Sequence, residues 1–182
     1  MNDYLGYDPG GRGCHGVARA TFDRDGELVG RPSTDLVADA GSARGWLRNN
    51  RAMALGIDTL LAWSFAGTRA CDQLLRRKYP RQAHRIIAQN ALRSSMTLNG
   101  VMVAQAVELP LYEAHPKVLR REGLLPASLI EALEEVSSDH EQDALVAAYC
   151  ASQGHQGRWT WNLFDEAGLV FPAGSAVYPW PD

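Results

Sequence analysis

The chain has 182 residues with 46% hydrophobic and 21% charged content, and its formal net charge at pH 7 is −3. These values are typical of one globular domain that can bury most of its apolar surface. Three widely separated cysteines argue against structural zinc and suggest a reducing cytoplasm. No signal peptide and no apolar stretch near the roughly 20 residues of a membrane span are visible. We therefore expect a cytoplasmic protein that makes no contact with a membrane.

The N-terminal part of the chain predicts short strands separated by turns and one helix. A glycine-rich turn follows the first strand, and Asp23-Arg24-Asp25-Gly26 has the composition of a hairpin turn. The expected elements are strands at 4–8, at 14–22 and from 27 onward, a helix from Ser42 to about Asn50, and a strand at 53–58.

The remainder of the chain predicts several helices, one further strand and a C-terminal hairpin. The expected elements are helices at 69–79, 96–106, 116–122, 126–136 and 139–152, a strand at 107–115, and hairpin arms at 158–164 and 169–172. The hairpin turn is expected at Asp165-Glu166-Ala167-Gly168. We expect one domain over 1–157, with a tail at 158–182 that packs on it.

This order of elements predicts an α/β fold. Three antiparallel strands followed by two parallel strands form a mixed five-stranded sheet that is flanked by helices. The first, fourth and fifth strands run parallel through right-handed crossovers, so their carboxyl ends meet at one edge, where open α/β sheets bind ligands.

Four acidic residues dominate the functional interpretation. Asp8, Asp58 and Glu113 each end a short apolar strand, and Asp143 lies one turn inside the last helix. Because a buried carboxylate is costly unless it is paired, one divalent-metal site is the simplest explanation of all four. Carboxylate oxygens suit Mg²⁺ or Mn²⁺.

The helix at 139–152 contributes further candidates. Ser138 and Glu141 fit a capping box, which would engage Glu141 with the backbone. Alanines on this helix allow a close approach to the sheet. His140 and Asp139 share the side of Asp143, although Asp139 is also an ordinary first-turn acid favoured by the helix dipole.

A basic cluster between 69 and 93 contains seven basic residues and one acid. It could contact the phosphates of nucleic acid, or it could be a solvated helix face with arginine stems over apolar surface. The residues predicted to bind nucleic acid are Arg69, Arg76, Arg77, Lys78, Arg81 and Arg85. Trp159 and Trp161 alternate in the tail and could pack on the sheet, form a homodimer contact or stack on bases.

Two segments resemble a known group of enzymes. Gly6-Tyr7-Asp8-Pro9-Gly10-Gly11 resembles the GIDPG opening of RuvC-type nucleases in the ribonuclease H-like superfamily. His140-Glu141-Gln142-Asp143-Ala144-Leu145 resembles the helix that closes their active site. The whole pattern is more similar still to the predicted nucleases of domain-of-unknown-function family 429. The further matching segments are Gly56-Ile57-Asp58, Arg69-Ala70-Cys71-Asp72, Tyr112-Glu113-Ala114-His115-Pro116 and the helix from His140 to Ala148.

The resemblance implies a ribonuclease H-like fold in which Asp8, Asp58 and Asp143 hold two metal ions and Glu113 lies beside them. One departure is Asp58-Thr59-Leu60-Leu61, where the family usually has a proline in the turn.

Together these features predict a metal-dependent phosphodiester hydrolase, a nuclease acting on DNA or RNA. Asp8 would bridge the two ions, and Glu113 would be a ligand or orient water. His140 or His115 could move a proton, although a structural hydrogen bond is the simpler role for His115. Two alternatives are an ATP-dependent enzyme of the actin and sugar-kinase type, which needs two lobes, and a catalytically inactive module that binds nucleic acid or a protein partner.

Overall fold

The computed structural model describes residues 1–62, 68–86, 94–167 and 176–181. The strands are β1 (Asn2–Asp8), β2 (His15–Phe22), β3 (Leu28–Val37), β4 (Leu55–Ile57), β5 (Leu111–Glu113), β6 (Trp161–Asn162), β7 (Ala176–Val177) and β8 (Pro179–Trp180). The helices are α1 (Ala40–Asn49), α2 (Ala70–Lys78), α3 (Ser94–Ala106), α4 (Pro116–Arg121), α5 (Ala127–Glu134), α6 (Asp139–His155) and α7 (Leu163–Ala167), and a 3-10 turn spans Pro80–Gln82.

The main sheet confirms the predicted fold class. Within the described residues its strand order is β3-β2-β1-β4-β5-β7. β1, β2 and β3 pair antiparallel, whereas β4 runs parallel to β1 and β5 runs parallel to β4. A sixth strand, β7, runs parallel to β5 and extends the predicted five. With only two residues, β7 is too short to show the alternation by which strands are found in a sequence.

Helix α6 packs directly on the sheet because both surfaces lack large side chains at the contact. A β-carbon at Gly6 would lie 1.7 Å from the carbonyl oxygen of Ala144, and one at Gly56 would lie 1.8 Å from the carbonyl oxygen of Ala147. The buried face of α6 is rich in alanine. The predicted close approach of this helix is confirmed, and it fixes where the N-terminal turns of α6 lie over the strands.

Local capping differs from the prediction at two helices. The capping box is wrong: among the described residues the Ser138 side chain makes no capping hydrogen bond, and Glu141 Oε1 accepts one from Thr34 Oγ1 at 2.8 Å. The Thr34 hydroxyl on β3 therefore binds the Glu141 carboxylate in place of the backbone at the start of α6. Helix α1 begins at Ala40, two residues before its predicted start at Ser42. Asp39 caps it, because Asp39 Oδ1 accepts a hydrogen bond from the backbone N–H of Ser42 at 2.8 Å.

The C-terminal tail also differs from the prediction. Three residues of the predicted hairpin turn, 165–167, instead belong to helix α7, and β6 pairs antiparallel with the more distant β8. The predicted second arm at 169–172 lies outside the described residues. Trp159 contacts Tyr149 and Trp180 with ring centroids 5.6 and 6.5 Å apart, so this tryptophan packs inside the chain. No helix in the described ranges is long and apolar enough to cross a bilayer.

Candidate active site

Three of the four predicted carboxylates converge at the carboxyl edge of the parallel strands. Asp8 ends β1, Asp58 follows β4 and Asp143 lies in the second turn of α6. Each offers a carboxylate oxygen, and the three oxygens all lie within 4.8 Å of one another. The backbone holds two of them in register, because the N–H of Asp58 donates to the carbonyl of Tyr7 at 2.9 Å. We call these three side chains the carboxylate cluster.

Burial and mutual repulsion disfavour the charged forms of the clustered carboxylates. Burial, followed by the charges of Asp8 and Asp143, raises the pKa of Asp58 well above its usual value. Burial also raises the pKa of Asp143, and the nearby charge of Lys117 offsets only part of that rise. Like charges held this close favour either protonation or a bound cation, so the arrangement suits a divalent ion.

His140 is joined to the cluster by a short hydrogen bond. Its Nδ1 lies 2.6 Å from Asp8 Oδ2, and this bond raises the pKa of the imidazole. A β-carbon at Gly16 would lie 2.0 Å from the carbonyl oxygen of His140, so the missing side chain lets the first turn of α6 rest on β2. His140, which the sequence suggests as a proton-transfer group, therefore contacts the carboxylate cluster.

Two basic residues that the sequence did not single out face the cluster from α4. Lys117 Nζ lies 3.5 Å from Asp143 Oδ2, and Arg120 Nη1 lies 3.3 Å from Asp143 Oδ1. Arg120 also donates to Gln142 Oε1 at 2.6 Å. The sequence does contain a signal for this placement, because Lys117 and Arg120 are three residues apart on a helix that begins at Pro116, shortly after β5.

Glu113, the fourth predicted carboxylate, belongs to a separate buried ion-pair network. Its Oε1 and Oε2 accept from Arg69 Nη2 and Nη1 at 2.5 and 2.9 Å, and the N–H of Leu61 donates to Oε2 at 2.6 Å. Arg69 also contacts Asp72 Oδ1 at 2.7 Å. Because both oxygens of Glu113 are engaged, this carboxylate lies beside the carboxylate cluster rather than within it.

The basic cluster is divided among different tasks. The Arg69 side chain is only 1% exposed and is held by Asp72 and Glu113, so it is not part of an exposed basic surface. Arg76 donates to the carbonyl of Ile86 at 2.8 Å, and Lys78 Nζ donates to the carbonyl of Pro181 at 3.0 Å. The remaining predicted contacts are exposed Arg77 and Arg81 and half-buried Arg85.

His115 carries no charge at neutral pH. Burial lowers the pKa of its imidazole to about 4, and the positive charges of Arg69 and Lys117 add to the effect. It lines a cavity that adjoins the carboxylate cluster. A neutral ring in that wall can donate one hydrogen bond and accept another.

The sheet order, the helix across its centre and the acidic edge together define a ribonuclease H-like fold. The structure is similar to that of RuvC from T. thermophilus in complex with a Holliday junction substrate, with a TM-score of 0.51 and 14% sequence identity over 85% of this chain and 96% of that chain. No family model matches the chain, and no curated protein sequence matches it. The likeness establishes the fold.

Proposed function

We propose that the protein is a divalent-metal-dependent nuclease whose carboxylate cluster binds the catalytic ions. The observation that carries the proposal is the convergence of Asp8, Asp58 and Asp143, from three separate elements, to within 4.8 Å. Assembling like charges at a sheet edge costs free energy, and a bound cation would offset that cost. Membership of family 429 is part of the same proposal, because its motifs supply these three residues.

The donor set fits Mg²⁺ or Mn²⁺. All three residues offer hard carboxylate oxygens, which these ions prefer. When bound, two such ions would supply an activated water and neutralise the charge of the leaving oxygen. Within the chain, His140 is placed to hold or move a proton beside Asp8, and Lys117 supplies positive charge at the rim of the cluster. Glu113, held by Arg69, lies beside the cluster and is not among the proposed ligands.

Nucleic acid is the proposed substrate. The similar RuvC structure was determined with a Holliday junction substrate, which supports a nucleic-acid ligand for this fold. Exposed Arg77 and Arg81 would contribute phosphate contacts.

A catalytically inactive module is the second candidate, and one observation favours it. Lys117 and Arg120 already pair with Asp143, at 3.5 and 3.3 Å. Cations of the chain itself could therefore take part of the role of a metal ion. In that case the protein would bind nucleic acid or a protein partner without cutting.

Cleavage of a nucleic-acid panel tests the proposal. Single strands, duplexes, RNA–DNA hybrids and junctions are incubated with Mg²⁺ or Mn²⁺, and metal binding is measured by calorimetry. We expect cutting by the wild type and a loss of at least 100-fold in Asp8→Asn and Asp143→Asn, because removal of a metal ligand disables the site. Asp139→Asn is the matched control, since Asp139 is an exposed acid on the same helix. Neither cutting nor metal binding by the wild type would overturn the proposal in favour of the inactive module.

A further inference from the structure

We infer that the cavity beside the carboxylate cluster receives one unpaired nucleobase, so that the enzyme cuts next to a base that is not in a duplex stack. This inference rests on the proposed nuclease function and names the substrate class within it. The cavity is lined by residues of α2, α3, α4 and the loop after β4. Asp58 belongs both to the carboxylate cluster and to the cavity wall.

The size of the cavity limits its ligand. Its volume is about 370 Å³, at the lower end of the range of about 300–1,000 Å³ for sites that bind small molecules. One nucleobase with part of its sugar is of this scale, whereas a base pair within a duplex is not. A base placed here would leave its own phosphate near Asp58 and Lys117, at the mouth shared with the cluster.

The walls offer apolar contact and unused hydrogen-bonding groups. Leu60, Ile86 and Met96 supply apolar surface of the kind on which the faces of a base can pack. Thr59 and Arg85 also line the cavity, and each has one buried polar atom, Thr59 Oγ1 and Arg85 Nε, with no hydrogen-bond partner among the described residues. Thr59 is only 5% exposed, so its hydroxyl has little access to bulk water.

Those unpaired atoms indicate a polar ligand. Buried polar groups are nearly always hydrogen-bonded, and an exception calls for a partner that completes it. A threonine hydroxyl, a guanidinium N–H and the neutral imidazole of His115 match the mixed donors and acceptors along the edge of a base. A purely apolar ligand would leave the threonine hydroxyl and the guanidinium N–H unsatisfied.

The charge of the cavity favours a neutral group over a second phosphate. Three basic and three acidic side chains line it among the described residues, namely Arg69, Arg85, Lys117, Asp58, Asp72 and Glu113. Arg69 is already bound by Asp72 and Glu113. Because the charges balance, an uncharged base is a better match than an anion, which would need excess positive charge.

The test compares three otherwise identical duplexes with Mn²⁺. One carries a single unpaired nucleotide, one carries an abasic sugar at the same unpaired position, and one is fully paired. We expect the wild type to cut the duplex with the unpaired base at least 10-fold faster than the other two. Equal rates on the base-bearing and abasic duplexes would overturn the inference while leaving the nuclease intact. A wild type that cuts nothing and binds no Mn²⁺ would remove both the nuclease and the inference.

Variants locate the effect in the cavity. Met96→Trp fills the cavity from α3, whereas Met102→Trp places the same side chain on the same helix at a position that is 60% exposed. We expect Met96→Trp to abolish the preference for the base-bearing duplex and to keep Mn²⁺ binding, and Met102→Trp to behave as wild type. Thr59→Val, which keeps the shape and removes the hydroxyl, should reduce the preference at least threefold. Full preference in both cavity variants would contradict the inference.

Discussion

Lys117 lies at the rim of the carboxylate cluster, where its ammonium group would compete with the proposed metal ion for the oxygens of Asp143. Its Nζ is 3.5 Å from Asp143 Oδ2, and its side chain is 55% exposed. We expect Lys117→Met to bind Mn²⁺ about 3- to 10-fold more tightly, because a partly exposed charge at this distance is worth on the order of 1 kcal/mol. Calorimetry measures the change. Arg121→Met on the same helix is the control, and an affinity unchanged or weakened in Lys117→Met alone would contradict the prediction.

Asp58 makes the metal-free protein sensitive to pH. Its pKa is raised by burial and by Asp8 and Asp143. A carboxyl group with a raised pKa contributes stability that is present below its unfolded pKa, near 3.8, and is lost as the pH rises through its folded pKa. At pH 7 Asp58 therefore lowers the free energy of unfolding of the metal-free protein.

Asp58→Asn should consequently stabilise the metal-free protein at pH 7 by about 1 kcal/mol, which corresponds to about 2–4 °C in Tm for a domain of this size. The gain should shrink as the pH is lowered toward 4, where the wild-type carboxyl becomes protonated. Thermal unfolding in EDTA at several pH values measures both effects. A Tm at pH 7 equal to or below that of the wild type would show that Asp58 does not carry repulsion, and Asp25→Asn, at an exposed position outside the helices, serves as the reference for removal of a surface charge.

At the scale of elements, the contact between α6 and the sheet has no room for a methyl group. A β-carbon at Gly56 would lie 1.8 Å from a carbonyl oxygen of α6, whereas nothing lies within 4 Å of the corresponding position at Gly45 in α1. We expect Gly56→Ala to lower the free energy of unfolding by about 3 kcal/mol, since overpacking against backbone forces the helix outward. The same shift would separate Asp143 from Asp58 and weaken Mn²⁺ binding.

Gly45→Ala is the matched control for that variant. Gly45 is exposed within a helix, where alanine is favoured by about 0.5–1 kcal/mol. Urea unfolding should therefore show the two substitutions moving stability in opposite directions. A Gly56→Ala protein as stable as the wild type would mean that α6 can slide along the strands without cost.

The elements that the sequence predicted well are those with a long or repeated signal. The β1–β2–β3 meander follows from its turns, and α6, predicted over 139–152 from its alanines, is observed to continue to His155. The elements it predicted poorly are short or depend on distant partners. β7 has two residues, residues 165–167 of the predicted turn belong to α7, and the Glu141 side chain binds Thr34 on β3 instead of forming a local cap.

The same distinction applies to the site. Asp8 and Asp58 follow apolar strands and Asp143 edges an alanine-rich helix, so topology alone brought them together. Glu113 also ends a strand, yet its carboxylate is bound by Arg69, which lies 44 positions earlier in the chain. No local pattern reveals such a pairing. The Arg69 side chain was assigned to the surface for the same reason, because its helix start lies within a basic run.

At the scale of the whole molecule, the carboxylate cluster joins elements that are far apart in the chain. β1, the residue that follows β4, and α6 each contribute one carboxylate, so a divalent ion bound to all three would stabilise the folded state against their separation. The fold is shared with RuvC at only 14% identity, which indicates that the architecture tolerates extensive substitution. Binding and folding should therefore be linked in this protein.

That linkage predicts a measurable increase in stability. For an ion that binds only the folded state, a concentration 100-fold above Kd adds about 2.7 kcal/mol, equivalent to about 5–10 °C in Tm for a chain of this length. We expect Mn²⁺ to raise the wild-type Tm by this amount and to leave Asp8→Asn nearly unchanged, because the variant loses a ligand shared with His140. Ca²⁺ provides a comparison that can bind without supporting cleavage. An equal shift in wild type and Asp8→Asn would place the ion elsewhere on the surface and remove the carboxylate cluster as its site.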